Sequence, residues 1–284
     1  MFLPMIIQQA TSLSGDALIN LFALLFIAYN LKLLYEENDL SYKDRLIYYL
    51  LTFCVSISKY VYFPLVFLSL LLVKNVNINK NNKRKLIIIS ITIAIFSSVV
   101  WFLYSQNYVD VRAYIKEANV NPVEQAKYIL SNPFNYIRVL VKTFSISGSY
   151  YLLSFVGNTL GYANILIPDI YIILMTILLF LLPFFEENNK SLLKWQKIIT
   201  LLIFIILVLL VITGLYLTWS PLKFDKVAGV QGRYFIPIMI LIFLTLIKAN
   251  NNVKIKNLNI KYFCTFFILN IIVIYFIINN FLNI

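Results

Sequence analysis

Apolar runs of lipid-crossing length alternate with short polar stretches along most of the chain. Ala17–Leu34 is the first, and Ser14 and Asp16 just ahead of it read as the capped start of a helix. Further runs cover 86–104, 166–185, 196–217, 234–247 and 262–281. Each reads as a helix, because a bilayer core offers no water to open backbone groups and about 20 apolar residues wound helically cross it. The stretch 105–165 contains no strong span. Within it, Asn121-Pro122 with Glu124, and Asn132-Pro133, carry the polar cap and early proline of helix starts. Ser147–Ser149 and Gly157–Gly161 read as breaks. The pattern predicts short helices lying along the outer membrane surface.

Residues 46–73 fit neither one span nor two. They form 28 nearly apolar residues, interrupted by Ser56, Ser58, Lys59 and Pro64. One straight helix would run roughly 42 Å against about 30 Å of hydrocarbon, yet two full spans need more residues. Charge decides between them. The next loop is the most basic in the chain, with Lys74, Lys80, Lys83, Arg84 and Lys85, and 190–197 and 248–261 are basic too. Such loops face the cytoplasm. A single helix at 46–73 would put loop 35–45 outside, whereas a hairpin of two short helices with Lys59 at its tip keeps it inside. The hairpin is favoured. The expected fold is all-α: a polytopic transmembrane bundle of about eight spans, one membrane-embedded domain over 1–284, with short extracytoplasmic surface helices. Both termini lie outside in this scheme. No signal peptide or span precedes the first helix, so an upstream helix is expected to be missing.

Composition agrees: 61% of the 284 residues are hydrophobic and the mean hydropathy is +0.83. The net charge of +12 follows from basic loops and does not indicate a nucleic-acid partner. There is no histidine, and Cys54 and Cys264 both fall in apolar runs, which excludes a His-based triad, a zinc or haem site and a disulfide framework. No cofactor is expected, and no metal is required.

Val227–Ile238 (VAGVQGRYFIPI) concentrates unusual residues beside a span. An arginine this near a span is expensive unless something binds it, and the glycines allow a sharp turn or a close approach. Tyr234 and Phe235 read as an aromatic interface anchor. Lys59 either snorkels to the interface or binds an anion there. Arg233 is either an interfacial anchor or a phosphate ligand, since a guanidinium offers a bidentate fork. Without histidine, a general base must come from the outer carboxylates: Asp16, Asp110, Glu117, Glu124, Asp169 and Asp225. Asp16 is the candidate base or acceptor orienter, its plainer role being to face its helix dipole. Asp169 also opens a helix, and Asp225 has Lys223 and Lys226 as ready partners. Gln8, Gln9 and Gln231 could bond sugar hydroxyls. Tyr104, Tyr108, Tyr150, Tyr151, Tyr162 and Trp219 read as an aromatic belt more than a sugar platform.

GVQGRYFIP resembles the hallmark of a bacterial multi-pass family described only as a domain of unknown function, DUF2142. LPMIIQQATSLSGDALIN, SKYVYFPLVFLSLLLVK, NPVEQAKYILSNPF and VGNTLGYANILIP are similar to its other stretches, in family order. The resemblance implies the plan of GT-C membrane glycosyltransferases, which use polyprenyl-phosphate sugars at the outer face of the cell membrane. It implies a part in making or decorating cell-surface polysaccharide. Lys59, Gln231, Arg233 and Tyr234 would then bind substrate and phosphate, beside the lipid bilayer itself. The family's relatives usually begin with another span and an outer loop, the place where GT-C enzymes carry their catalytic Asp or Glu, and this chain is expected to lack both. A lipid-linked sugar transporter or flippase, and a non-catalytic component of a polysaccharide assembly system, are the alternatives.

The hairpin is testable directly. With Cys54 and Cys264 replaced by alanine, Lys59→Cys should react with an impermeant thiol reagent in intact cells. Protection that lifts only after lysis would exclude it.

Overall fold

The computed structural model describes residues 3–36, 39–75, 78–105, 119–161, 165–185, 190–248 and 258–282. A short helix, α1 (Pro4–Thr11), leads into α2 (Gly15–Tyr35). Helix α2 starts where Ser14 and Asp16 predict, but the Ser14 hydroxyl does not cap it; that hydroxyl donates to Gln9 Oε1 at 3.3 Å. Helix α3 (Tyr42–Ser58) opens on a capping box made by Ser41 and Asp44. It stops at Lys59, whose backbone is extended, and a 3₁₀ helix runs from Tyr60 to Lys74.

The two arms form the expected hairpin. Lys59 meets Asp16 at the start of α2, while Asn75 Nδ2 donates to the Leu33 and Leu34 carbonyls at its far end, at 3.2 and 3.1 Å. The 3₁₀ winding lengthens the second arm. At about 2.0 Å per residue, 15 residues cover about 30 Å; an α-helix of the same length covers about 22 Å. A 3₁₀ helix also stacks every third side chain into straight columns. Tyr62, Leu65, Leu68 and Leu71 form one buried column and Val66, Ser69 and Leu72 another, while Val73 is exposed.

Helix α4 (Lys80–Ser105) packs on both arms. Beyond Leu86 its buried positions are small, Ser90, Ala94, Ser97 and Ser98, which lets the backbones approach. Helix α5 (Pro122–Ser131) starts as expected, Asn121 capping the Glu124 N–H at 3.1 Å. Helix α6 (Pro133–Val156) begins at the predicted proline but runs unbroken through Ser147–Ser149. That corrects the expected break: one glycine costs a helix about 1 kcal/mol, less than freeing backbone groups where water is scarce. It is also far longer than a short surface helix. Tyr136 bonds Thr213 at 2.6 Å, Lys142 pairs with Asp225, and Thr143 and Ser154 accept the Val227 and Gly232 N–H groups at 2.9 and 3.0 Å. These bonds tie α6 along its length to residues 213–232. Gly157 ends it in the left-handed region, as expected of a break. A two-residue ladder follows, β1 (Thr159–Leu160) antiparallel to β2 (Ile165–Leu166).

Helices α7 (Asp169–Phe185) and α8 (Lys194–Thr218) come next; a 3₁₀ turn at Gly232–Phe235 leads into α9 (Ile236–Leu246), and α10 is Leu258–Leu282. Among the described helices, five are long and apolar enough to cross a membrane: Gly15–Tyr35, Lys80–Ser105, Pro133–Val156, Lys194–Thr218 and Ile260–Asn280. Tyr60–Lys74, Asp169–Phe185 and Gly232–Leu246 are apolar but shorter. The set differs from the eight expected spans by including α6, and both hairpin arms, α7 and α9 fall short in length.

The loops expected to share one face do gather at one end. Asp39 accepts from Asn79 and Asn82, Lys190 donates to the Tyr35 carbonyl at 3.3 Å, and Lys197 donates to that of Ile247 at 2.6 Å. Lys74 lies over Trp195. Glu37, Glu186, Glu187, Lys254 and Lys256 lie outside the described residues.

Gly232 fixes where α6 crosses. A Cβ there would collide with the backbone at Tyr151 and Phe155, which cannot swing aside. Gly232→Ala should therefore destabilise the protein by about 1–3 kcal/mol, read as a lowered thermal midpoint in detergent. An unchanged midpoint would show that α6 is not seated on this turn.

Candidate functional site

Asp16 sits in the first turn of α2, where a carboxylate complements the helix dipole. Its side chain is 13% exposed, and its two oxygens face two cations. Oδ1 lies 2.5 Å from Lys59 Nζ, and Oδ2 lies 3.4 Å from Arg233 Nε. Lys59 reaches it because the hairpin tip lifts that residue out of both helices. Arg233 reaches it because the Gly232–Phe235 turn brings the chain back over α2. The contact to Arg233 is an ion pair by distance only: its buried Nε makes no hydrogen bond.

Tyr234 lies between the cations. Its ring centroid is 4.9 Å from Lys59 Nζ and 5.5 Å from Arg233 Cζ, within cation–π range. Tyr62, buried on the 3₁₀ helix, donates its hydroxyl to the Tyr234 carbonyl at 2.6 Å and pins the turn. Two cations and one carboxylate leave the cluster with one net positive charge.

Different cavities flank it. On one side a groove of about 290 Å³ runs between the hairpin tip and α8, with Tyr60, Val61, Val211 and Leu215 as walls and Lys59 and Tyr234 at its edge. On the other a smaller pocket, about 90 Å³, is lined by Gln231, Arg233, Tyr150, Ser154 and Thr159. The structure thus brings Asp16, Lys59, Arg233 and Tyr234 into one cluster and sets Gln231 beside it.

The other candidates stand apart. Gln8 donates to the Gly161 carbonyl at 3.3 Å, leaving Oε1 buried without a partner, and Gln9 is buried with Nε2 turned to Met5 Sδ. Glu124 pairs with Lys127 at 2.8 Å, and Asp169 is exposed at the start of α7. Asp225 pairs with Lys142 on α6, not with Lys223 or Lys226; the Lys142 ammonium beside it holds its carboxyl below the ordinary carboxylate range. Tyr151 packs on Phe235 and Tyr104 stacks on Trp101, while Tyr150 joins the polar pocket. Asp110, Glu117, Tyr108 and Tyr162 lie outside the described residues. Among the described residues no three carboxylate or thiol side chains converge as a metal site would need. Sequence reasoning missed Tyr62, Thr143 and Ser154, which hold the Val227–Phe235 stretch. It also missed Asn20, one turn beyond Asp16 and buried with neither amide atom bonded.

Residues 1–242 match the family described as predicted membrane protein (DUF2142). The chain belongs to the DUF2142 family. Every residue of the charged cluster falls inside the part matched, and the five long apolar helices agree with a multi-pass DUF2142 membrane protein. Neither a curated protein nor a solved structure matches the chain.

The cluster makes a quantitative prediction for this DUF2142 protein. Asp16→Asn and Lys59→Gln should couple by about 0.5–3 kcal/mol in a double-mutant cycle of thermal stability, because each single change strands a partly buried charge. Additive effects would mean the pair is not formed in the membrane.

Proposed function

We propose that the protein is a glycosyltransferase of GT-C-like plan. It moves a sugar from a polyprenyl phosphate to a glycan or lipid acceptor in cell-surface polysaccharide synthesis or decoration. The observation that carries this reading is the placing of a net-positive cluster between an apolar groove and a polar pocket. A lipid-linked sugar has the same three parts in the same order. Its chain suits the groove of Tyr60, Val61, Val211 and Leu215; its phosphate suits Lys59 and Arg233; its sugar suits Gln231, Tyr150 and Thr159. Eight crossings with the Asp16 end outside belong to the proposal, since the basic loops gather at the opposite end and basic loops stay in the cytoplasm.

The charges balance through the reaction. A glycosyl phosphodiester carries one negative charge, matching the cluster. In transfer, an acceptor hydroxyl bonds to the anomeric carbon, the bond from that carbon to the phosphate oxygen breaks, and the phosphate leaves with a second negative charge. If Asp16 takes the hydroxyl proton, the cluster gains one positive charge as the phosphate gains its negative one. Attraction then grows toward the transition state, which is what accelerates a step. The Arg233 guanidinium, partly exposed and lining the polar pocket, can donate to the leaving oxygen.

Translocation of the same lipid is the second reading. It draws on Asn20, Asn30 and Ser69, buried within the bundle with polar atoms that lack partners.

Native mass spectrometry of the purified protein should find a polyprenyl phosphate or its glycosylated form. The lipid should be lost in Arg233→Ala and held about tenfold more weakly in Arg233→Lys, where a point charge replaces the fork. A well-folded wild type without carrier lipid would overturn the proposal. Given the bound donor and an acceptor, a new sugar–acceptor bond marks transfer, and an intact donor moved across the bilayer marks translocation.

A further inference from the structure

A second amphiphilic groove lies at the other end of the bundle. Where the 3₁₀ helix ends and α4 begins, a groove of about 720 Å³ opens. Lys74, Lys80, Lys83 and Arg84 line it with four cations, and Leu70, Val73, Ile87 and Ile88 give it apolar walls. Val73 and Ile88 are exposed, so those walls continue onto the lipid-facing side of the helices.

Among the described residues the positive charge there is poorly compensated. Helix α4 has no acid in its first turn, where the helix dipole is already positive and cations are unfavourable. Lys83 donates to the Asn75 carbonyl at 2.7 Å and Lys74 lies 5.2 Å from the Trp195 ring centroid. Lys80 and Arg84 are exposed and enter none of the ion pairs among the described residues. Asp39 is bonded to this segment, but it accepts from Asn79 N and Asn82 Nδ2, each at 2.9 Å. The Asn79 N–H foremost, then that of Leu40, hold its carboxyl below the ordinary range, and its oxygens are engaged by amide donors.

We propose that this groove binds an anionic phospholipid of the surrounding bilayer. The phosphate sits among Lys80, Lys83 and Arg84, and the acyl chains lie along Leu70, Val73 and Ile88. A basic hollow at a helix junction with apolar walls below is the arrangement that captures anionic headgroups. A zwitterionic lipid fits worse, because its own ammonium would be repelled by the four cations. The site is separate from the Arg233 cluster and does not depend on what that cluster does.

The full chain in detergent, given equal amounts of phosphatidylglycerol and phosphatidylethanolamine, should retain phosphatidylglycerol through native mass spectrometry. Lys80→Gln with Arg84→Gln should weaken retention about tenfold. Lys43→Gln with Lys194→Gln, which removes the same charge from exposed residues at the same end, should leave it unchanged. Lys80→Arg with Arg84→Lys keeps the charge and should keep the lipid, which guards against a glutamine variant that merely misfolds. Equal loss in both glutamine pairs, or equal retention of phosphatidylethanolamine, would overturn the proposal. Full displacement of phosphatidylglycerol by a few millimolar inorganic phosphate would do so too, by showing a site for a soluble anion.

Discussion

Asp16 holds together parts of the chain that apolar packing would leave free to slide. In a membrane the lipid tails are as apolar as leucine, so helix faces gain little from one another by excluding water, and register must come from close packing and polar contacts. Here the carboxylate starts α2 and meets the hairpin tip through Lys59 and the late turn through Arg233. Three segments far apart in sequence thereby share one point. The Tyr62 bond to the Tyr234 carbonyl, and the Thr143 and Ser154 bonds to the Val227 and Gly232 amides, repeat the device around it. Each uses a directional bond, of the kind that is hard to replace where water is scarce.

That shared point also gathers two cations and one carboxylate beside two cavities. A lysine and an arginine pressed on one aspartate have an unspent positive charge, and neither cavity beside them supplies an anion. At the opposite end of the bundle four cations, Lys74, Lys80, Lys83 and Arg84, line a wider groove. The molecule so presents a confined cationic site at one end and a broad one at the other. Their chemistry separates them: the first has a carboxylate between its cations, and no carboxylate lines the second.

Much of this was legible in the sequence. Val227–Ile238 stood out because glycine, arginine and proline beside a span each demand an explanation, and Gly229, Gly232 and Arg233 supply one in a turn, a close approach and an ion pair. The hairpin followed from counting basic loops, a long-range constraint that needs no contact information. The joining of Asp16 to both cations was not legible, because nothing local ties residue 16 to 59 or 233. The continuity of α6 was missed because Ser-Gly-Ser reads as a breaker in water, whereas in an apolar setting the helix keeps its own bonds. The 3₁₀ winding was invisible because Tyr60–Lys74 is apolar on every side, and a uniform run has no period to read.

That winding makes length a variable. Rewound as an α-helix, the same fifteen residues would be about 8 Å shorter. The segment is clamped at both ends, by Lys59 on Asp16 and by Asn75 on the last carbonyls of α2. The extended winding and the two polar contacts at its ends together fix where the second arm lies along α2.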